Sequence, residues 1–167
     1  SDLRLWFVVA DKADPAYERL ISLKKRLGKR SSAREISILT AGHGSDRSQK
    51  IHNLLYACDR LPEQTQVIAF ADSDICVRPD WLRHLVYPLR KEKHGAATGY
   101  RWFVPTRLNI ASLALSGINA KVAQLLGNTR FNHAWGGSMA IRKSDFFELG
   151  IDGIWRNALS DDLSLTN

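Results

Sequence analysis

The chain has 167 residues, 44% of them hydrophobic, and 24 lysines and arginines against 17 aspartates and glutamates give it a formal charge of +7. That length holds one domain with a core of its own and gives no reason for two, and the absence of repeats and low-complexity tracts excludes solenoid and tail-like architectures. The basic excess points to anionic partners, with nucleic acid, acidic lipid and nucleotide diphosphate all qualifying.

Leu3–Ala10 has the composition of a strand, and Asp11-Lys12-Ala13-Asp14-Pro15 is its exit turn, with a helix starting at Pro15. Asp11 therefore stands at a strand end. Tyr17, Leu20, Ile21, Leu23 and Leu27 recur at helical spacing, opposite a basic face of Lys24, Lys25 and Arg26 that reads as solvated. Alternation predicts a second strand over Arg34–Thr40, entering the glycine-containing loop Ala41–Asp46. The next helix runs from Arg47 to Asp59. Lys50 and Asn53 fall near its start, where a phosphate would be attracted, although Lys50 fits an ordinary surface lysine equally well.

Val67-Ile68-Ala69-Phe70-Ala71 is apolar without alternation, which predicts a central strand buried on both faces. Asp72 and Asp74 follow where it leaves the sheet, and open α/β sheets bind ligands at the carboxyl ends of their strands. Two carboxylates there repel unless a cation lies between them, and Mg²⁺ or Mn²⁺ suits hard oxygen donors completed by phosphates. The pair reads as a metal–diphosphate site. The plainer alternative is a solvated strand-to-helix loop in which Asp80, after Pro79, caps the next helix.

That helix is predicted from Asp80 to about Leu89, and Gly95–Phe103 resumes strand character with glycines that suit a bulge or a close approach. Leu108–Leu126 is helical but weakly amphipathic, so it is either buried or set against something apolar outside the chain. The longest uncharged stretch, Leu108–Ala120, is shorter than a bilayer crossing. A loop rich in aromatics and glycine, Phe131–Ser138, leads into a short strand, Met139–Arg142. Ser144 is then placed as the N-cap of a short helix stopped by Gly150. Near the end, Asp161 and Asp162 fall at the opening of a further helix. Cys58 and Cys76 both lie in apolar surroundings, which predicts buried free thiols and a reducing compartment.

Five motifs carry a resemblance. They are Val9-Ala10-Asp11-Lys12-Ala13-Asp14-Pro15, Lys50-Ile51-His52-Asn53-Leu54, Phe70-Ala71-Asp72-Ser73-Asp74 running on to Leu82, Gly136-Gly137-Ser138 running on to Ser144, and Ser160-Asp161-Asp162-Leu163. In this order they resemble the nucleotide-sugar core of inverting GT-A glycosyltransferases, and most of all the ceramide glucosyltransferase family with its bacterial relatives. The resemblance implies an α/β fold, a Rossmann-like GT-A core with a mostly parallel sheet flanked by helices. It implies that Asp11 holds the uridine of a UDP-sugar, with Lys50 nearby. Asp72 and Asp74 would hold Mg²⁺ or Mn²⁺ on the diphosphate, and since some relatives keep only the first carboxylate, Asp72 is the safer assignment. Trp135, Gly136 and Gly137, with His133, would line the sugar and acceptor pocket. Asp162 would be the catalytic base, preceded by Asp161 where relatives carry glutamate; which of the two acts is left open by the sequence.

The implied reaction moves a hexose, glucose from UDP-glucose, onto a lipid hydroxyl such as that of ceramide. Residues 1–167 then read as a single catalytic core cut from a longer, membrane-attached polypeptide whose site faces the cytoplasm. A polysaccharide-type glycosyltransferase is the nearest alternative. A non-catalytic nucleotide or nucleic-acid binder would use Arg101, Trp102, Arg107 and Arg130, but carboxylates at several element ends repel a polyanion, so nucleic acid is not expected as a partner. A metal-dependent nucleotidyltransferase or phosphohydrolase shares the Asp-Ser-Asp logic and differs in its product.

Overall fold

The structure, a computed structural model, describes residues 2–125, 134–135 and 137–158. They divide into two units, residues 2–64 with 152–158 and residues 65–125 with 134–135 and 137–151, each with its own sheet.

In the first unit, β1 (Arg4–Val9) and β2 (Glu35–Thr40) pair in parallel, from Arg4 opposite Glu35 to Val9 opposite Thr40. A parallel pair needs a crossover, and α1 (Pro15–Leu27) supplies it. Asp14 caps α1 by accepting from Ala16 N at 2.8 Å, and Lys24, Lys25 and Arg26 in the last turn suit the negative end of the helix dipole. The apolar residues predicted for its inner face are half-buried and the three basic ones are exposed. Ser48 caps α2 (Gln49–Cys58) through Ile51 N, and Ile51, Leu55 and Cys58 form a buried stripe at helical spacing. Burying side chains of this size stabilises by about 1.5–3 kcal/mol each. Most of α6 (Ile151–Arg156) also belongs here. Its Trp155 is fully buried, and Arg156 reaches Asp59 at 3.3 Å just past the end of α2.

The second unit holds β3 (Val67–Ala71), β4 (Ala96–Thr98) and β5 (Ser138–Arg142) in the order β3-β5-β4, antiparallel at both contacts. The middle strand is therefore β5, whose Met139, Ala140 and Ile141 are all buried. On one face α3 (Trp81–Val86) and the 3-10 turn Tyr87–Arg90 pack Leu85 and Leu89 against Ala140, with Val67 and Ala97 beside them. α5 (Lys143–Glu148) buries Phe146, whose ring lies 6.2 Å from that of Phe70. α4 (Ile110–Leu125) completes the unit. Arg142 ties the end of β5 to the 3-10 turn, donating to Leu89 O at 2.8 Å and Glu92 O at 2.9 Å while pairing with Asp145 at 3.0 Å.

The α/β class is as expected, with parallel pairing confined to β1–β2 among the described strands. Several local expectations are corrected. β3 is neither the middle strand nor buried on both faces: Ile68 and Phe70 are buried, whereas Ala69 and Ala71 are exposed, so the run alternates by size rather than by polarity. α5 starts one residue before Ser144, with Arg142 at the N-cap. α3 is shorter than predicted because the pyrrolidine of Pro88 cannot continue an α-helical ladder. Cys76 is exposed in the loop after β3; only Cys58 is buried.

Candidate functional site

In the first unit, Asp11 sits just beyond β1 and closes an Asx turn, its Oδ1 accepting from Ala13 N at 2.7 Å and Asp14 N at 3.1 Å. Its other oxygen accepts from His43 Nε2 at 2.6 Å. The His43 hydrogen bond first, and the Ala13 N–H next, hold the Asp11 carboxyl below the usual carboxylate range. The loop that carries His43 is itself built from α2. Gln49 donates to Gly42 O at 2.8 Å and accepts from Gly44 N at 3.1 Å, and His52 donates to Ala41 O at 3.0 Å. Gly44 lies close to the His52 side chain, where an added Cβ would stand 3.0 Å from His52 Cβ and Cγ. Gly42 has φ +81°, a conformation that favours glycine. Lys50 is exposed in the first turn of α2.

In the second unit, Asp72 follows β3 and its N–H donates to Gly137 O at 3.1 Å. Gly137 has φ +92° and leaves no room for a side chain, since a Cβ there would stand 2.5 Å from Asp72 Oδ2. Arg101 approaches the same oxygen at 3.7 Å. Next to Gly137, Ser138 Oγ accepts from Trp81 Nε1 at 2.9 Å and abuts Gly99, where a Cβ would collide with it. The backbone N–H of Trp135 donates to Thr98 Oγ1 at 2.9 Å, and its ring packs against Tyr100 at a tilt of 58°, centroids 5.0 Å apart. The half-buried Asp72 carboxylate thus lies between the bare backbone of Gly137 and Arg101, with its own backbone N–H tied to Gly137 O, while Asp74, two residues on, is exposed.

This geometry joins a half-buried carboxylate at a strand end to a glycine turn and an aromatic wall. A model of glycosyl transferase family 21 matches residues 1–167. The chain belongs to glycosyl transferase family 21. A search of curated proteins gives no match to an individual relative. Family 21 membership makes the protein a glycosyltransferase of the broadly glucosylceramide-synthase-like kind.

For this family 21 chain, the structure brings together Asp72, Gly137 and Arg101, and sets Trp135 on Tyr100 and Thr98. Asp11 and Lys50 belong to the first unit, and Gly136, Asp161 and Asp162 lie outside the described residues. Asp80 takes the N-cap position of α3 without a capping hydrogen bond from its side chain; it pairs instead with Arg78 at 3.4 Å and His84 at 3.7 Å.

As a cation site, Asp72 and Asp74 offer two hard oxygen donors in one turn, and Asp74 is open to solvent. Among the described residues no group of three or more His, Cys, Asp or Glu is arranged so as to hold a metal ion by itself. Two carboxylates are nevertheless the protein share that Mg²⁺ or Mn²⁺ takes when phosphates complete its shell, so the donor set fits.

Sequence reasoning gave no role to Gln49 or Thr98, and named His43 and Ser138 only as members of a loop and a motif. Gln49 and Thr98 act on backbone groups, His43 on the Asp11 carboxylate and Ser138 on the Trp81 indole, and none of these pairings leaves a periodic signal in the sequence.

Proposed function

We propose that this family 21 protein is an inverting, metal-dependent hexosyltransferase with a GT-A core. In this reading it moves glucose from UDP-glucose onto a lipid hydroxyl such as that of ceramide, with its site at the cytoplasmic face of a membrane. The observation that carries the reading is the seating of Asp72 against Gly137, which holds a carboxylate at a strand end where a diphosphate would be met.

Asp72 and Asp74 would hold Mg²⁺ or Mn²⁺, which when bound supplies Lewis-acid stabilisation of the diphosphate leaving group. In this reading Asp11, which stands at the end of β1 in its Asx turn, would accept a hydrogen bond from a uridine hydroxyl or imide, and Lys50 would contribute positive charge at the start of α2. Trp135 and Gly137, with Gly136, are assigned to the sugar pocket. Asp162 takes the proton from the acceptor hydroxyl as its oxygen attacks the anomeric carbon. The carbon–oxygen bond to the β-phosphate breaks, its electron pair leaving with UDP, and attack from the opposite face inverts the centre. Such a base is worth about 10²–10⁴-fold in rate. Asp161 raises the proton affinity of Asp162 by like-charge repulsion, or holds a sugar hydroxyl.

Product analysis tests the proposal. Incubation with UDP-glucose and ceramide is expected to give glucosylated lipid and intact UDP in equal amounts, whereas UMP or pyrophosphate would mark a nucleotidyltransferase or phosphohydrolase. Asp162→Asn is expected to abolish turnover. Near-normal turnover in Asp162→Asn with loss in Asp161→Asn would reassign the base.

A further inference from the structure

α4 is folded inside out. Its polar residues Ser112, Ser116 and Asn119 recur at helical spacing on the face turned toward the protein, with Asn119 only 3% exposed. Its apolar residues point the other way: Ile110 is 88% exposed, Leu113 52% and Ile118 62%. The segment leading into it also exposes large apolar side chains, Trp102, Val104 and Leu108. Its placement is fixed, not a loose tail. Asn119 accepts from Phe103 N at 3.0 Å and donates to Arg101 O and to the Tyr100 hydroxyl, while that hydroxyl donates to Asn119 O at 2.7 Å. Asn109 caps the helix through Ser112 N at 2.8 Å. A helix surrounded by water would carry the opposite arrangement.

Charge decides what covers this face. From Lys93 to Ser144 the sequence has no aspartate or glutamate, while Arg107 and Lys121 are exposed and Arg101, also exposed, faces Asp72 at 3.7 Å. A second copy docked face to face would set these cations against their own copies. An anionic bilayer surface satisfies both properties, with the apolar side chains entering the headgroup boundary, Trp102 at the interface and the cations on lipid phosphates and carboxylates. At 16 residues, α4 is about 24 Å long and short of the roughly 30 Å hydrocarbon core, so it would lie along the surface. We infer that residues 101–121 form a membrane-surface docking face selective for anionic phospholipid.

This inference stands apart from the sugar-transfer reading, and its readout is lipid binding. The chain is mixed with vesicles of phosphatidylcholine alone, or of phosphatidylcholine with phosphatidylserine, and floated on a density gradient. Binding to the anionic vesicles, released by salt, is expected, with little to neutral ones. Both Leu113→Gln/Ile118→Gln and Arg107→Glu/Lys121→Glu are expected to weaken partitioning by about tenfold or more. All four side chains are exposed, so the circular dichroism and melting temperature of both variants should match the parent's. Absence of vesicle binding, equal binding to neutral and anionic vesicles, or an apolar double variant that still binds would overturn the inference. So would concentration-dependent self-association that Leu113→Gln/Ile118→Gln abolishes while no vesicle binding is seen, which would give the face to a second copy.

Discussion

Gly137 is the floor on which the Asp72 carboxylate rests: its φ is +92°, and a methyl group added to it would stand 2.5 Å from Asp72 Oδ2. Gly137→Ala therefore incurs two costs, a left-handed backbone conformation and displacement of the carboxylate. The backbone term is about 1–2 kcal/mol. Gly150 has φ +68° at the end of α5 with open space around it, so Gly150→Ala carries the first cost alone. Both variants should melt lower, but only Gly137→Ala should lose metal-dependent UDP-glucose affinity, by about tenfold or more, the factor that 1.4 kcal/mol carries. Calorimetric titration of the two variants checks this.

Asp11 is held ionised by His43 and by the Ala13 and Asp14 N–H groups. A carboxyl depressed in the folded state stabilises it above the unfolded value of about 3.9, and that contribution is lost as pH falls through the folded value. His43→Ala removes the largest cause. The Asp11 carboxyl should then titrate at higher pH in carbon-detected NMR, and acid unfolding should begin at higher pH; an unmoved titration would show that His43 does not set this group.

The two thiols should behave oppositely. Burial is the main reason the Cys58 thiol is pushed up to about 12, with Asp59 and Asp152 adding to it, whereas Cys76 is exposed. Iodoacetamide at neutral pH should label Cys76 in the folded chain and reach Cys58 only after denaturation. Because folding keeps Cys58 neutral, its contribution to stability should be lost as pH rises above about 8.5, where the unfolded thiol ionises. Mass spectrometry of the labelled peptides decides the first point.

Asn119 is the polar centre of the second unit's outer helix, bonded to Tyr100, Arg101 and Phe103. Asn119→Ala removes hydrogen bonds to the part-buried Phe103 N–H and Arg101 O and to the Tyr100 hydroxyl, which water can partly replace, and should destabilise by about 1–2 kcal/mol. Denaturant unfolding followed by tryptophan fluorescence measures it.

Much of this fold was legible because it rests on periodicity. Tyr17 to Leu27 and Ile51 to Cys58 show the helical spacing that the structure buries or half-buries, and the apolar run at Val67 marks β3 correctly. What the sequence did not disclose depends on pairing. Nothing local in Ser138–Arg142 says that it enters between β3 and β4 in antiparallel sense, and this insertion is what brings Gly137 to Asp72. α4 was ambiguous for a related reason: weak amphipathicity records no direction, so Ser112, Ser116 and Asn119 had to be seen facing inward before Ile110 and Ile118 were known to face out. In the candidate site, Asp11 and Asp72 were findable as carboxylates at strand ends, whereas His43 and Arg101 reach them through folding alone.

The most direct test of the account is calorimetric titration of UDP-glucose into the chain with and without Mn²⁺, repeated for Asp72→Asn. The account predicts binding that needs the metal and weakens about tenfold or more in the variant. Equal affinity in the absence of metal, unchanged by Asp72→Asn, would contradict it.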